Sequence, residues 1–231
     1  MTIYRLFDEP MFPDPSEADP DGLLAIGGDL SPKRLIAAYA GGIFPWYSEN
    51  SPILWWSPDP RLVLEPGSLH VPSSLKRVLN SSRYRFSLDT AFAQVIRSCA
   101  RAPRPGQTGT WIVPEMIDAY EGLHALGLAH SAEVWNGERL AGGIYGVALG
   151  SIFFGESMFF AEPDASKAAL VLLALWLFTQ GCTLIDCQQT TEHMLRFGAR
   201  EISRLEFLRR VALGLDSPAL SGSWMLGPNS A

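Results

Sequence analysis

Hydrophobic and polar positions along the chain change their period, and the changes mark out the elements. The first ~60 residues are broken by Pro and Gly at Phe12-Pro-Asp-Pro, Pro20-Asp-Gly, Gly27-Gly-Asp, Gly41-Gly, Phe44-Pro-Trp and Ser57-Pro-Asp-Pro. That punctuation predicts a compact, loop-rich unit with one clear helix. Ser31 caps the helix, Pro32 occupies its first turn, and Gly41-Gly42 ends it. A boundary between Ser57 and Pro66 predicts a small N-terminal domain over residues 1–62 and a second domain over 63–231.

Beyond the boundary, Ser73–Asn80 and Thr90–Ala100 read as short helices with a strand, Tyr84–Leu88, between them. Glu115–Leu126 keeps helical spacing and stops at Gly127. The period then falls to two. Ser131–Trp135 and Arg139–Leu149 read as strands joined by Asn136-Gly137, a strong hairpin signal, and Ser151–Phe159 as a third strand. Ser166–Gln180 is apolar on all sides and predicts a buried helix, capped by Ser166 and ended by Gly181. Thr183–Cys187 is a short apolar strand, and a last helix is expected over much of Glu192–Leu213. A meander leading into strand–helix–strand predicts an α+β fold.

Composition narrows the class. Of the 231 residues 47% are apolar and 18% charged, against roughly 25% charged in an average globular chain, so a well-filled interior is expected. The longest apolar run, Ala168–Phe178, is shorter than the ~18 residues that a membrane span needs. The N-terminus lacks a basic region followed by an apolar core, which argues against a secretory signal. Cys99, Cys182 and Cys187 read as free thiols of a reducing cytoplasm, and the spacing of the four histidines predicts no metal site.

Charge is unevenly placed. The net charge is −6, yet between Pro66 and Arg104 seven basic residues (Lys76, Arg77, Arg83, Arg85, Arg97, Arg101, Arg104) face only Asp89. Such a patch can hold phosphates while the remaining surface repels them, or it can be a solvated helix face. Both readings stay open on charge alone.

Three stretches could carry chemistry. In Leu184-Ile-Asp-Cys-Gln188, strand alternation puts Asp186 and Gln188 on one face and Ile185 and Cys187 on the other. An acid and an amide together can orient a nucleophile; the alternative is an Asp that caps the following turn. Cys187 reads as a core thiol rather than a nucleophile, and His193 as a first-turn helix residue. Glu156, inside Phe153-Phe-Gly-Glu-Ser-Met-Phe-Phe160, needs a cation: a substrate group, Lys167 or an arginine. Trp46 and Trp111 lie in loops where they could stack on bases or pack between domains, whereas Trp55-Trp56 looks structural.

Six segments, in order, resemble the leucyl/phenylalanyl-tRNA–protein transferase family: Gly22-Leu-Leu-Ala-Ile-Gly-Gly-Asp-Leu-Ser31, Gly42-Ile-Phe-Pro-Trp46, Ile53-Leu-Trp-Trp-Ser-Pro-Asp-Pro-Arg61, Gly109-Thr-Trp111, Phe154-Gly-Glu-Ser-Met-Phe159 and Leu184-Ile-Asp-Cys-Gln188. The resemblance implies a loop-rich N-terminal domain and an acetyltransferase-like (GNAT-related) catalytic domain. It implies cytoplasmic transfer of Leu or Phe, and less well Met, from aminoacyl-tRNA to acceptor proteins beginning with Arg or Lys. That transfer marks them for degradation by the N-degron pathway, with no cofactor, metal or membrane.

Residue by residue, Asp186 and Gln188 match the pair assigned to catalysis, and Glu156 and Thr191 fall at the acceptor site. Trp46 and Trp111 match aromatics near the terminal adenosine, and Ile144, Phe153, Leu173 and Ile185 the aminoacyl pocket. Two positions depart from the family pattern: Leu173 stands where an aromatic is usual, and Thr191 where an Asn is. Lys76, Arg77 and Arg83 are the expected tRNA phosphate contacts, because Lys76-Arg77 opens a short helix and Arg83 follows in its loop. A rival reading, an acetyl-CoA-dependent acetyltransferase, would need a pyrophosphate loop. The nearest stretch, Arg139-Leu-Ala-Gly-Gly-Ile144, ends in Ile and lies within a predicted strand. A third reading, a non-catalytic tRNA-binding module, leaves Asp186, Gln188 and Glu156 without a task.

Overall fold

The structure is a computed structural model, and it describes residues 3–103, 110–217, 220, 222 and 224–225. Arg104 of the basic segment and Gly109 of the Gly109-Thr-Trp motif lie outside these residues.

The N-terminal part is more ordered than its punctuation suggests. Strands β1 (Tyr4–Leu6), β2 (Leu23–Gly27), β3 (Phe44–Pro45) and β4 (Leu54–Trp56) form a sheet in the order β1-β2-β4-β3. These strands have two to five residues, too few to show a period of two among the prolines. Helix α1 (Pro32–Ala40) forms as expected, the Ser31 hydroxyl accepting the Arg34 N–H at 3.4 Å. Trp55 is fully buried and donates to the Gly27 carbonyl at 2.8 Å, a structural role as read from the sequence.

The second sheet takes in β5 (Arg61–Leu64), β6 (Arg85–Leu88), β7 (Ala129–Asn136), β8 (Arg139–Leu149), β9 (Ile152–Phe160), β10 (Leu184–Asp186) and β11 (Arg200–Ile202). Their order is β11-β5-β10-β9-β8-β7-β6. The helices are α2 (Ser73–Leu79), α3 (Phe92–Arg101), α4 (Pro114–Ala125), α5 (Ala165–Thr179), α6 (Glu192–Arg196) and α7 (Arg204–Leu215). The expected Asn136-Gly137 hairpin forms between β7 and β8, with Asn136 opposite Arg139. The fold is α+β, as the periodicity predicted.

Two apolar cores lie on opposite faces of the larger sheet. Adjacent side chains of β9 divide between them: Phe153 packs with α5 in one, and Phe154 joins α3, α4, α7 and the N-terminal sheet in the other. The second core therefore ties the N-terminal part to the larger sheet.

Three local expectations are corrected. The buried helix starts at Ala165 after Asp164, and Ser166 lies buried inside it rather than capping it. The last helix divides into α6 and α7. Gly198 between them adopts φ +91°, and a Cβ there would lie 1.9 Å from the Ser68 carbonyl oxygen, so the helix cannot continue through it. The released segment pairs with β5, Arg200 opposite Val63. Finally, Lys76 and Arg77 stand in the last turn of α2 rather than opening it.

Candidate active site

The parallel pairing of β9 and β10 sets the site. It runs from Leu184 opposite Ile152 to Asp186 opposite Phe154. On the other side of β9, Tyr145 pairs with Ser157 and Gly146 with Gly155, so Glu156 is the extra residue of a β-bulge. A bulge re-aims a side chain and twists the strand locally. Gly146 makes this possible, since a Cβ there would lie 2.2 Å from the Phe154 oxygen and 2.5 Å from the Phe153 ring. Across the gap, Gln188 adopts a left-handed backbone, φ +60°, and its N–H donates to Asp186 Oδ1 at 2.8 Å. The strand thus turns immediately after Asp186. The Gln188 side chain reaches back to the bulge, its Nε2 donating to Glu156 Oε1 at 2.9 Å.

The two carboxylates are held in opposite ways. Asp186 is fully buried and meets Arg61 by two parallel bonds, Nε to Oδ1 at 2.8 Å and Nη2 to Oδ2 at 2.6 Å. Arg61 is buried too, between the Phe44 and Phe207 rings at 4.9 and 4.4 Å, with its Nη1 donating to the Gly42 carbonyl at 3.2 Å. Sequence reading missed Arg61 as the partner of Asp186. The two are 125 positions apart, and only the antiparallel pairing of β5 with β10 brings them together.

Glu156 is not paired with Lys167 or an arginine among the described residues. Lys167 Nζ instead binds Asp164 at 2.8 Å. The Glu156 carboxylate accepts from Tyr39 at 2.8 Å, from Tyr120 at 3.1 Å and from Gln188. Desolvation lifts its pKa from the ordinary 4.5 to about 7; the two phenols oppose the rise, and Asp186 adds to it. Tyr39 and Tyr120, from α1 and α4, were also absent from the sequence reading. Each lies on an apolar helix face where the pattern shows a core aromatic.

A cavity of about 380 Å³ opens beside these groups. It is lined by Trp111, Ile144, Phe153, Leu173, Ile185 and Thr191 from the sequence-derived set. Glu156 and Asp186 contribute to its wall, as does His193 in the first turn of α6. Burial and nearby Lys167 and Arg196 lower the His193 pKa. An adjoining hollow of about 260 Å³ shares Trp111, Glu156, Cys187 and Thr191 with the cavity and adds Phe44, Trp46 and Gln188. The cavity and hollow together thus gather candidates from six separate stretches of sequence. Thr191 also caps α6, accepting the Met194 N–H at 3.3 Å. Cys187 lies beside Asp186, and burial pushes its thiol up, away from the thiolate that a nucleophile needs.

Lys76, Arg77 and Arg83 are not among the residues lining this cleft. Lys76 and Arg77 are exposed on α2, while Arg83 pairs with Glu162 at 3.2 Å. Elsewhere the fold collects Asp89, His124 and His130, which the spacing along the chain did not suggest. Three of the four ring nitrogens are engaged: His130 Nδ1 with Asp89 at 2.7 Å, His130 Nε2 with the Gly127 carbonyl at 3.1 Å, and His124 Nδ1 with the Ala129 carbonyl at 2.8 Å.

Residues 63–212 match the model of the leucyl/phenylalanyl-tRNA protein transferase family, and residues 28–59 match the model of its N-terminal domain. A leucyl/phenylalanyl-tRNA–protein transferase of Anaeromyxobacter sp. (strain K) is 63% identical over 98% of this chain and 97% of its own. One from Maridesulfovibrio salexigens is 57% identical over 97% and 94%. Among solved structures, a GCN5-related N-acetyltransferase from Kribbella flavida aligns with 78% of this chain and 63% of its own, at 12% identity and a TM-score of 0.42. With two family models matched in sequence order and relatives this similar from end to end, the chain belongs to the leucyl/phenylalanyl-tRNA–protein transferase family and is an aminoacyltransferase.

Proposed function

We propose that the chain moves Leu or Phe, and less efficiently Met, from aminoacyl-tRNA to the N-terminal Arg or Lys of acceptor proteins in the cytoplasm, which marks them for degradation by the N-degron pathway. The observation that carries this reading is an apolar cavity ending at Glu156, with Gln188 bound to that carboxylate. The cavity suits an apolar aminoacyl side chain, and Trp46 and Trp111 flank it where the terminal adenosine would stack.

The aminoacyl ester is already activated, so the chemistry asks mainly for position. The acceptor's neutral α-amine attacks the ester carbonyl carbon. The new C–N bond forms, the bond to the ribose oxygen breaks, and the amine's proton ends on that oxygen. With Nε2 committed to Glu156, Gln188 presents its side-chain oxygen to the attacking N–H. Asp186, neutralised by Arg61 and fully buried, fixes Gln188 through the backbone N–H and acts as a positioning residue. Glu156 and Thr191 line the acceptor end, and Glu156 faces the acceptor's cation. Lys76, Arg77 and Arg83 hold the tRNA phosphates.

Purified protein given labelled Leu-tRNA and an Arg-starting peptide should form the extended peptide without added metal or nucleotide. Transfer that is equally fast to a peptide beginning with Gly would refute the assigned acceptor. Acetyl transfer from acetyl-CoA would favour the rival reading.

A further inference from the structure

Tyr39, Tyr120 and Glu156 form a closed ring of three hydrogen-bond contacts. Tyr39 meets Oε1, Tyr120 meets Oε2, and the two phenol oxygens hydrogen-bond to each other. Both phenols are buried, at 1% and 0% exposure. Burial and the charge of Glu156 push both phenol pKa values well up, so they keep their protons.

Three contacts need three protons, and two phenols supply two. If Glu156 is ionised, both phenols donate to it, and their own contact sets two lone pairs face to face. If Glu156 is protonated, the ring closes: Oε2–H donates to Tyr120, Tyr120 to Tyr39, and Tyr39 to Oε1. Gln188 donates to Oε1 in either state. The charged groups near Glu156 are Asp186 on β10 and Arg61 on β5, and these are already paired to each other. Tyr145 of β8 stands behind Tyr120, its ring 5.7 Å away edge-on, and Cys187 borders the same hollow.

We propose that Glu156 is protonated in the vacant site and that Tyr39 and Tyr120 are positioning residues that close a hydrogen-bonded ring on it, so that a cationic N-terminal residue binds only as that proton leaves. On binding, the carboxyl O–H bond breaks, its electrons stay on Oε2, and the proton passes to solvent as the acceptor's cation takes its place. The phenols then both donate to the carboxylate, which lies against a positive charge. This rests on the reading that Glu156 receives the acceptor's cation. It adds a cost that rises as pH falls: affinity for the acceptor should weaken by up to roughly tenfold for each pH unit below about 7. The raised pKa agrees with the ring, and the proton count of the three contacts supports it separately.

Calorimetric binding of an Arg-starting peptide, in two buffers of different ionisation enthalpy, counts the protons released. The peptide's own α-amine titrates alike with every variant, so differences between proteins isolate Glu156. Wild type should release about one proton more than Glu156→Gln at pH 6 and almost none more at pH 8.5. In Tyr120→Phe and Tyr39→Phe the carboxylate loses a donor, so the extra release should persist to higher pH. Phenols that only fill space would lower affinity at all pH values without moving this midpoint.

If Glu156→Gln binds the peptide as tightly as wild type, the reading of Glu156 as the cation's partner falls. If its binding is weak but wild type releases no additional proton at pH 6, or neither Tyr variant moves the midpoint, the ring proposal falls while that reading stands. Should Glu156→Gln bind too weakly to count protons, the wild-type and Tyr-variant midpoints decide alone.

Discussion

Replacing Glu156 with Gln should stabilise the protein, and more so as pH rises. Glu156 titrates near 7 in the fold against the ordinary 4.5, because burial disfavours its charge. A carboxylate raised in this way binds more protons folded than unfolded, so stability falls with increasing pH between the two values. Its contribution is fully present below about 4.5 and lost as pH passes through about 7. The gap between the two values corresponds to roughly 3 kcal/mol. One edge of the side chain faces the open cleft, and solvent screening there reduces the expectation to about 2 kcal/mol. Gln keeps the shape and closes the same ring, since its Nε2–H can donate to Tyr120 as the protonated acid does. In a chain of this length, the melting temperatures of variant and wild type should separate by roughly 4–8 °C between pH 5 and pH 8.5. Scanning calorimetry in buffers of matched ionic strength reads the separation directly. A difference that stays constant with pH would mean that Glu156 titrates alike folded and unfolded, and the argument from burial would fail.

Arg61→Met should destabilise the fold by about 3–5 kcal/mol, because it leaves Asp186 charged, buried and unpaired; urea unfolding checks this, and a loss below 1 kcal/mol would show that the pair is not needed. Leu173→Phe should shrink the cavity and lower kcat/KM for Phe-tRNA relative to Leu-tRNA by about tenfold or more, whereas an equal loss for both donors would place Leu173 outside the side-chain pocket. Neutralising Lys76, Arg77 and Arg83 together should flatten the log–log salt dependence of tRNA binding by roughly 1 per contact, and spare a minimal aminoacyl-adenosine donor. An unchanged slope would make these residues a solvated surface.

The sequence alone determined whatever depends on neighbours along the chain. The Ser31–Pro32 helix start, the Asn136-Gly137 hairpin and the all-apolar helix before Gly181 are local signals, and all three elements form, though the last begins one residue before Ser166, after Asp164. Alternation also put Ile185 and Asp186 on opposite faces, because a strand's side chains have a period of two whatever surrounds it, and the fold sets the Ile185 face against α5. Tertiary structure decided what depends on distance. Arg61 and Asp186 meet only because β5 pairs with β10, and strand pairing across 125 positions leaves no mark on composition or period. The bulge at Glu156 is a matter of register between β8 and β9, which neither strand encodes by itself. Tyr39 and Tyr120 read as core residues on their own helices, and packing those helices beside the bulge turned two buried hydroxyls into partners for a carboxylate that would otherwise need a cation.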